Sequence, residues 1–306
     1  MELSEFMNNV YKSGFCAIIG MPNVGKSTLL NTIAGQKIAI ISDKPQTTRN
    51  KILAIYHGEG EQIIFTDTPG IHNPHNKLGE YMVRMANESM RDTDVILFVV
   101  DASKGIRPME REIAENIGKT GLPCILVINK VDLVEKENLL PMIADYSGMN
   151  DFEAIIPISA KTNDGVDRLI DNIKDYIEEG PMFYDEDAVT DQPEKAIAAE
   201  IIREKMLWLL DKEIPHGIAI EITRMKEKSK VTEINATICC EKKSHKGIII
   251  GKGGEMLKKI GTLARADIEK MLDRKVYLEL WVKIKTDWRN SDFLIKNFGY
   301  RDDDEI

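Results

Sequence analysis

Gly20-Met21-Pro22-Asn23-Val24-Gly25-Lys26-Ser27 sets two glycines before a lysine and a hydroxyl. That spacing, between an apolar strand and a helix-like stretch, lets backbone N–H groups turn inward around phosphate oxygens. The following helix start adds its positive dipole end. Val24, Gly25, Lys26, Ser27 and Thr28 would then wrap the phosphates, with Lys26 on the β- and γ-phosphates and the Ser27 hydroxyl on Mg²⁺.

Three further short motifs follow in order, each at the carboxyl end of a predicted strand. In Asp67-Thr68-Pro69-Gly70 the carboxylate can hold Mg²⁺ through water and the Gly70 N–H can touch the γ-phosphate. In Asn129-Lys130-Val131-Asp132, Asp132 can accept from guanine N1–H and N2–H₂. Adenine has no N2 amino group, so a carboxylate facing it is left unpaired at a cost of about 1–3 kcal/mol. Lys130 would lie along the base and Asn129 would tie this loop to the phosphate loop. Ser159-Ala160-Lys161 can offer backbone N–H groups to guanine O6. Ligands of open α/β sheets sit at such strand ends.

Over about residues 12–180 the chain resembles the translation-factor-like family of small GTPases. The resemblance implies GTP and GDP as ligands, Mg²⁺ as cofactor, and a threonine in the first switch. Gln46-Thr47-Thr48-Arg49 supplies it, with Thr48 assigned to Mg²⁺ and the γ-phosphate and Thr47 nearly its equal, because spacing does not separate them. The water-orienting Gln of Ras-like relatives is replaced by Ile71, which can neither accept nor donate a proton. Asn23 matches a residue that, in several members with a hydrophobic residue there, helps bind K⁺ beside the phosphates. Such an ion would stabilise charge on the phosphoryl oxygens. The expected catalytic set is Lys26, Thr48, Gly70 and Asn23, and hydrolysis is expected to be slow without RNA, the ribosome or K⁺. His72 and His75 read as parts of a solvated switch loop.

The elements that must position these residues read clearly. Apolar runs at Cys16–Gly20, Ile52–His57, Gln62–Thr66, Val95–Asp101, Pro123–Asn129 and Ile155–Ile158 alternate with helix-like stretches at Ser27–Ala34, Leu78–Met90, Pro108–Lys119 and Gly165–Ile177. Alternation implies crossovers and a mostly parallel sheet. The second and third runs, joined by Gly58-Glu59-Gly60, read as an antiparallel edge hairpin. The expected fold is an α/β P-loop GTPase domain over residues 1–180, a linker over 181–195 marked by Gly180-Pro181 and Gln192-Pro193, and an α+β type II KH domain over 196–306.

The KH expectation rests on Gly251-Lys252-Gly253-Gly254 after the apolar run ending at Ile250, and on the predicted order helix, strand, strand, helix, helix, strand. In a KH domain such a GxxG loop clamps four backbone nucleotides. Lys242, Lys243, Lys246, Lys258 and Lys259 surround it, and Arg289 in the Asp287–Asn290 stretch adds a basic contact. Ile248, Ile249 and Leu257 are candidates for a base-lining groove. Trp208, Trp281 and Trp288 are candidate stacking partners, with Trp281 expected in the core. Charge agrees: residues 1–195 carry 19 Lys and Arg against 31 Asp and Glu, residues 196–290 carry 20 against 14, and residues 291–306 carry 2 against 5. A polyanion would meet the basic segment.

A GTPase domain of this kind followed by a KH domain resembles a family of bacterial ribosome-assembly GTPases. The resemblance covers nearly the whole chain, including the helix around Ala199–Lys205 and Glu213-Ile214-Pro215-His216. It implies binding near the 3′ end of small-subunit ribosomal RNA, action on the assembling small subunit, a cytoplasmic protein with some peripheral membrane association, and a monomer. Rival readings are an RNA-binding module whose G domain holds nucleotide passively, an NTP-dependent RNA-modifying enzyme, and a related GTPase acting on the large subunit.

Composition narrows the field further. With 43% hydrophobic and 30% charged residues, disorder throughout is excluded. Runs such as Val95–Val100 are far short of the ~20 residues that span a bilayer. Met1–Val10 carries Glu2 and Glu5 and no basic region of a secretory signal. Cys16, Cys124, Cys239 and Cys240 form no CxxC pair, so a zinc site or disulfide framework is not expected and a reducing compartment fits.

Overall fold

The computed structural model describes residues 11–300. The acidic run Asp302–Glu305 and the Met1–Val10 stretch lie outside the described residues. The chain divides into two compact units. Among the described residues the first comprises those up to Ile38 with Asn50–His72 and Val83–Asp191, and the second comprises Ala39–Arg49, Asn73–Met82 and the chain from Gln192 onward.

In the first unit, β1 (Lys12–Ile19), β2 (Ile52–Gly58), β3 (Glu61–Asp67), β4 (Val95–Asp101), β5 (Cys124–Asn129) and β6 (Ala154–Pro157) form a sheet in the order β2-β3-β1-β4-β5-β6. Along this path only β2 runs against its neighbour, pairing Ile52 with Asp67 through Gly58 with Glu61, which is the expected edge hairpin. A two-residue strand, β7 (Glu178–Glu179), adds antiparallel to the start of β1. Every residue of β4 and β5 is buried, as parallel strands covered on both faces require. Helices α1 (Lys26–Ala34), α3 (Pro108–Gly118), α4 (Leu139–Ser147) and α5 (Val166–Ile173) belong to this unit, and α2 (Lys77–Glu88) begins in the second unit and ends in the first. One core gathers Ile19, Phe98, Val100, Ile113, Leu126 and Ile128, so the strand ends that carry the motifs rest on a rigid base. Helix α4 lies outside the expected helical stretches. Pro141 in its first turn hides it in the sequence, although proline is tolerated there.

Residues 181–191, expected as linker, run along the edge of that sheet. Gln62 Oε1 accepts from the backbone N–H of Phe183 and Tyr184 at 2.9 and 3.1 Å, and Gln62 Nε2 donates to Tyr184 O at 2.8 Å. Ile55 N donates to Val189 O at 2.9 Å and Thr190 Oγ1 to Leu53 O at 2.7 Å. The segment bonds mostly through its backbone, so its polar, acidic side chains leave no trace of this in the sequence pattern, and the strap occupies the otherwise open edge of β2.

The second unit contains α6 (Glu194–Leu209), β8 (Ile218–Glu227), β9 (Thr232–Cys240), α7 (Lys243–Ile250), α8 (Glu255–Leu272), β10 (Val276–Ile284) and α9 (Asp292–Asn297). The order matches the expected helix, strand, strand, helix, helix, strand, with α9 added after a Ser291 cap. The sheet runs β10-β9-β8, with β9 parallel to β10 and antiparallel to β8. Ile202, Met206, Ile234, Ile238, Ile249, Ile260 and Ile268 share its core.

The tryptophans correct one expectation. Trp281 is 58% exposed, whereas Trp288 is fully buried. On β10 the residues at even positions, such as Val276 and Val282, turn toward the helices, so Trp281 at an odd position turns away. Trp288 donates Nε1–H to Gly217 O at 3.0 Å and packs edge-on against Phe298. Trp288→Ala is expected to cost about 3–5 kcal/mol of stability, while Trp281→Ala leaves the thermal unfolding midpoint nearly unchanged; thermal melts of both variants check this.

Candidate nucleotide and RNA sites

The loop that begins at Gly20 joins the carboxyl end of β1 to α1, which starts at Lys26. Gly25 sits at φ 101°, and a Cβ there would lie 2.2 Å from Asn129 Nδ2, so only glycine fits. Lys26 is buried and donates Nζ–H to Gly20 O and Met21 O, each at 3.1 Å. Burial pulls its pKa down and the nearby Asp67 carboxylate only partly offsets this. An ammonium so placed gains from an arriving phosphate. Ser27 Oγ donates to Asp67 Oδ2 at 2.6 Å, which joins the first two motifs directly. Gly70 lies against Pro22, where a Cβ would come within 2.7 Å of backbone N, and Ile71 N donates to Gly20 O at 3.3 Å. Ile71 itself packs on the apolar core.

Asn129 laces three loops together. Its Nδ2 donates to Val24 O at 2.9 Å, and its Oδ1 accepts from Ala160 N at 3.0 Å and Lys130 N at 2.8 Å. Lys130 reaches Asp101 Oδ2 at 2.7 Å and Asn23 O at 2.6 Å. Burial works against the Asp101 carboxylate, but hydrogen bonds from Lys130 and Ser103 outweigh it and hold its pKa below the usual range. The Lys130 charge is thereby matched. Asp132 Oδ1 accepts from Ser159 Oγ at 2.7 Å. The Ser159 and Ala160 amides donate to Asp164 O and Asn129 Oδ1, so of the three expected donors to guanine O6 the structure commits two within the protein. Asn23 is exposed at φ 65°, Val24 is buried, Thr28 is half-buried and Lys161 is exposed.

Thus Asn23, Val24, Gly25, Lys26, Ser27, Thr28, Asp67, Gly70, Asn129, Lys130, Asp132, Ser159, Ala160 and Lys161 all fall in one unit. Thr48 and Thr47 belong to the other. Thr47 Oγ1 donates to Lys44 O at 2.6 Å, and Thr48 is buried. Among the described residues no group of three or more His, Cys, Asp or Glu could hold a metal ion. The Ser27–Asp67 pair instead offers hard oxygen donors suited to Mg²⁺ shared with nucleotide phosphates, not to a cage built by protein alone. Asp101 falls outside the sequence motifs; its position as the last residue of β4 is the available signal.

In the second unit Gly251–Gly254 turns α7 into α8, with Gly251, Gly253 and Gly254 at φ 75°, 61° and 84°. A Cβ on Gly251 would meet Met256 Cβ at 2.7 Å. Lys242, Lys243, Lys252, Lys258 and Lys259 are exposed and Lys246 is half-buried. Beside the loop runs a groove of about 510 Å³, lined by Gly254 of the loop, from α8 by Leu257, Lys258, Gly261, Thr262 and Arg265, and from β10 by Val276, Tyr277, Leu278 and Leu280. Of the expected lining residues Leu257 is there, Ile249 is in the core and Ile248 is half-exposed outside the groove. Ile250 packs on the core and is half-buried. Arg289 makes a two-pronged pair with Glu241, Nη2 to Oε2 at 2.6 Å and Nε to Oε1 at 3.2 Å, so its charge is balanced within the unit. Tyr277, Arg265 and Thr262 carry no motif in the sequence; Tyr277 is 58% exposed and signalled only by its place on the alternating last strand.

Residues 15–130 match the family described as 50S ribosome-binding GTPase, and residues 213–289 match the KH domain family. GTPase Era of Ruminiclostridium cellulolyticum is 56% identical over 95% of this chain and 98% of its own length. The chain belongs to the Era family of GTPases. GTPase Era of Clostridioides difficile is 52% identical over 96% of this chain and the whole of its own. The crystal structure of an Aquifex aeolicus Era variant bound to GDP and aluminium fluoride superposes with a TM-score of 0.92 at 43% identity, covering 94% of this chain and 99% of that one. An Era structure with MgGDPNP and nucleotides 1506–1542 of 16S ribosomal RNA gives the same TM-score and identity, covering 95% and 99%. The protein is therefore a GTPase of the P-loop class with a C-terminal KH domain.

Proposed function

We propose that the protein is a GTP-hydrolysing switch that binds small-subunit ribosomal RNA near its 3′ end during small-subunit assembly. The observation that carries this reading is one chain holding both a guanine-nucleotide site laced by Asn129 and a GKGG clamp beside an open, lysine-flanked groove. The solved Era complex with a 16S ribosomal RNA segment supports the choice of RNA.

In this reading Lys26 and the loop amides bind the phosphates, the Lys130 stem lies along the base, Asp132 accepts from its N1–H and N2–H₂, and the Lys161 amide serves O6. Ser27 and Asp67 would hold Mg²⁺, which would neutralise phosphate charge when bound. Ile71 cannot orient water, so hydrolysis is slow until Asn23, K⁺ or the RNA-bound state assists. RNA phosphates follow the lysines and the Gly251–Gly254 amides, and bases enter the groove, where Tyr277 gives a stacking face and Arg265 a donor. With both sites on one chain, we take the working unit to be a monomer acting in the cytoplasm. No helix among the described residues is long and apolar enough to cross a membrane, so the implied peripheral membrane association would use surface charge or apolar side chains.

The test is GTP hydrolysis by the purified protein in potassium and in sodium buffer, with and without a 3′ segment of 16S ribosomal RNA. RNA and K⁺ stimulation is expected; fast turnover in sodium without RNA would sink the proposed control. Gly253→Asp places bulk and negative charge where a Cβ meets nothing within 4 Å. It is expected to weaken RNA binding at least about tenfold, by the loss of roughly 1.4 kcal/mol or more of phosphate contact, with GTP binding intact. Equal loss of both in parallel titrations would point to misfolding.

A further inference from the structure

Asp101 is the last residue of β4 and is 3% exposed. Its two carboxylate oxygens have different partners. Oδ1 accepts from the Ser103 backbone N–H at 2.9 Å and from Ser103 Oγ at 2.7 Å. Oδ2 accepts from Lys130 Nζ at 2.7 Å. Burial disfavours the charge on this carboxyl, but the bonds from Lys130 and Ser103 outweigh it, so Asp101 faces Lys130 as an anion. Backbone ties the same two strand ends, with Ala102 N donating to Asn129 O at 2.9 Å.

Lys130 follows β5 in the left-handed region, at φ 66° and ψ 37°, a conformation costly for a residue with a side chain. Its N–H donates to Asn129 Oδ1 at 2.8 Å, and its carbonyl accepts from Leu133 N at 3.0 Å. Its ammonium spans from Asp101 to Asn23 O, 2.6 Å away. The stem passes Gly25, where an added Cβ would stand 3.8 Å from Lys130 Cε. A strained backbone persists only where its surroundings hold it, and such positions cluster at functional sites. Here the far end of the side chain is held as well, by a carboxylate that no phosphate or guanine motif calls for.

We infer that Asp101 is a positioning residue for guanine-nucleotide binding, holding Lys130 across the phosphate loop and so setting how long nucleotide stays bound. The inference rests on the role proposed above for Lys130. A lysine side chain has large rotamer entropy. Held at Nζ, it meets the base without being ordered at each binding event. Released into water, it must be ordered each time, and that cost is subtracted from affinity. The loss falls mainly on the dissociation rate. Lys130 serves the base and not the γ-phosphate, so GTP and GDP are affected alike and the chemical step is spared.

Asp101→Asn breaks this one contact. The Ser103 backbone N–H can only donate, so it keeps the amide oxygen on its own side and turns Nδ2 toward Lys130, donor against donor. The experiment measures release of fluorescently labelled GDP and GDPNP from the full-length protein. Asp101→Asn is expected to quicken release of both about tenfold, while single-turnover hydrolysis of bound GTP stays within about twofold. In a Lys130→Met background the same substitution is expected to add less than about twofold, because no ammonium is left to position. A folded Asp101→Asn protein that releases GDP at the wild-type rate overturns the inference. So does an equal quickening in both backgrounds, which is what support of the fold alone would give. Should Asp101→Asn fail to fold, as a thermal melt reports, Asp101→Ser, too short to reach Lys130, is measured in its place with the same outcomes. Wild-type protein that holds ATP as tightly as GTP defeats the guanine site itself, whereas intact guanine preference with an indifferent Asp101 defeats only this inference.

Discussion

Lys26→Ala lowers kcat/KM for GTP by at least about 10²-fold, the scale of removing one preorganised charge donor from a phosphoryl-transfer site. The reason is local. Lys26 is buried beside Asp67, and its Nζ donates to the carbonyls of Gly20 and Met21. Desolvation is already suffered in the free protein, so the attraction to an incoming phosphate is strong and needs little reorganisation. Alanine removes the charge and leaves the loop glycines and their amides in place. Single-turnover hydrolysis with labelled GTP checks the rate, and a nucleotide-binding titration separates lost binding from lost chemistry. Normal turnover would overturn the assignment of the phosphate loop.

Asp132→Asn is the second large effect, and it changes identity more than strength. In the proposed role the carboxylate accepts two N–H groups from guanine, bonds to a charged acceptor worth about 1.5–3 kcal/mol each. An amide keeps one acceptor and turns a donor toward the other N–H, so GTP affinity falls by roughly 10²-fold or more. Xanthine carries a carbonyl at C2, which that new donor satisfies, so xanthosine triphosphate gains where GTP loses. Ser159 Oγ, 2.7 Å from Asp132 Oδ1, can still donate to the amide oxygen and holds the side chain in this orientation. Competition of GTP and xanthosine triphosphate for the variant is the measurement; undiminished preference for GTP would refute the role of Asp132.

Lys26 and Asp132 both announce themselves in the amino-acid sequence, and the reason is that their chemistry is local. A glycine-rich turn, a lysine and a hydroxyl within eight residues bind phosphate wherever a strand feeds a helix, and Asp67-Thr68-Pro69-Gly70 and Asn129–Asp132 end apolar runs that can only be buried strands. Parallel strands must present such ends together, so the motifs and their order pointed to a guanine nucleotide on a P-loop GTPase fold, while Gly58-Glu59-Gly60 between two apolar runs marked the edge hairpin. The GKGG loop and the element order likewise determined the KH fold, because turn chemistry and the 3.6-residue and two-residue periods agree there.

Tertiary structure decided everything that depends on which distant group answers a side chain. Trp281 and Trp288 look alike in sequence, but β10 is an edge strand with only one face against helices, so parity turned Trp281 outward, while the chain after the strand buried Trp288 against Gly217 and Phe298. Lys130 finds Asp101 29 residues away, and Arg289 finds Glu241 48 away. Arg203, Glu204 and Lys205 are three successive charges, all buried; Arg203 and Glu204 find backbone partners in a segment some 160 residues earlier, and Lys205 pairs with Glu204 and Asp267. A long charged side chain is equally at home in water and in a complete hydrogen-bonding site, so its type carries no signal of which it will occupy; only the folded chain supplies the partner that settles it.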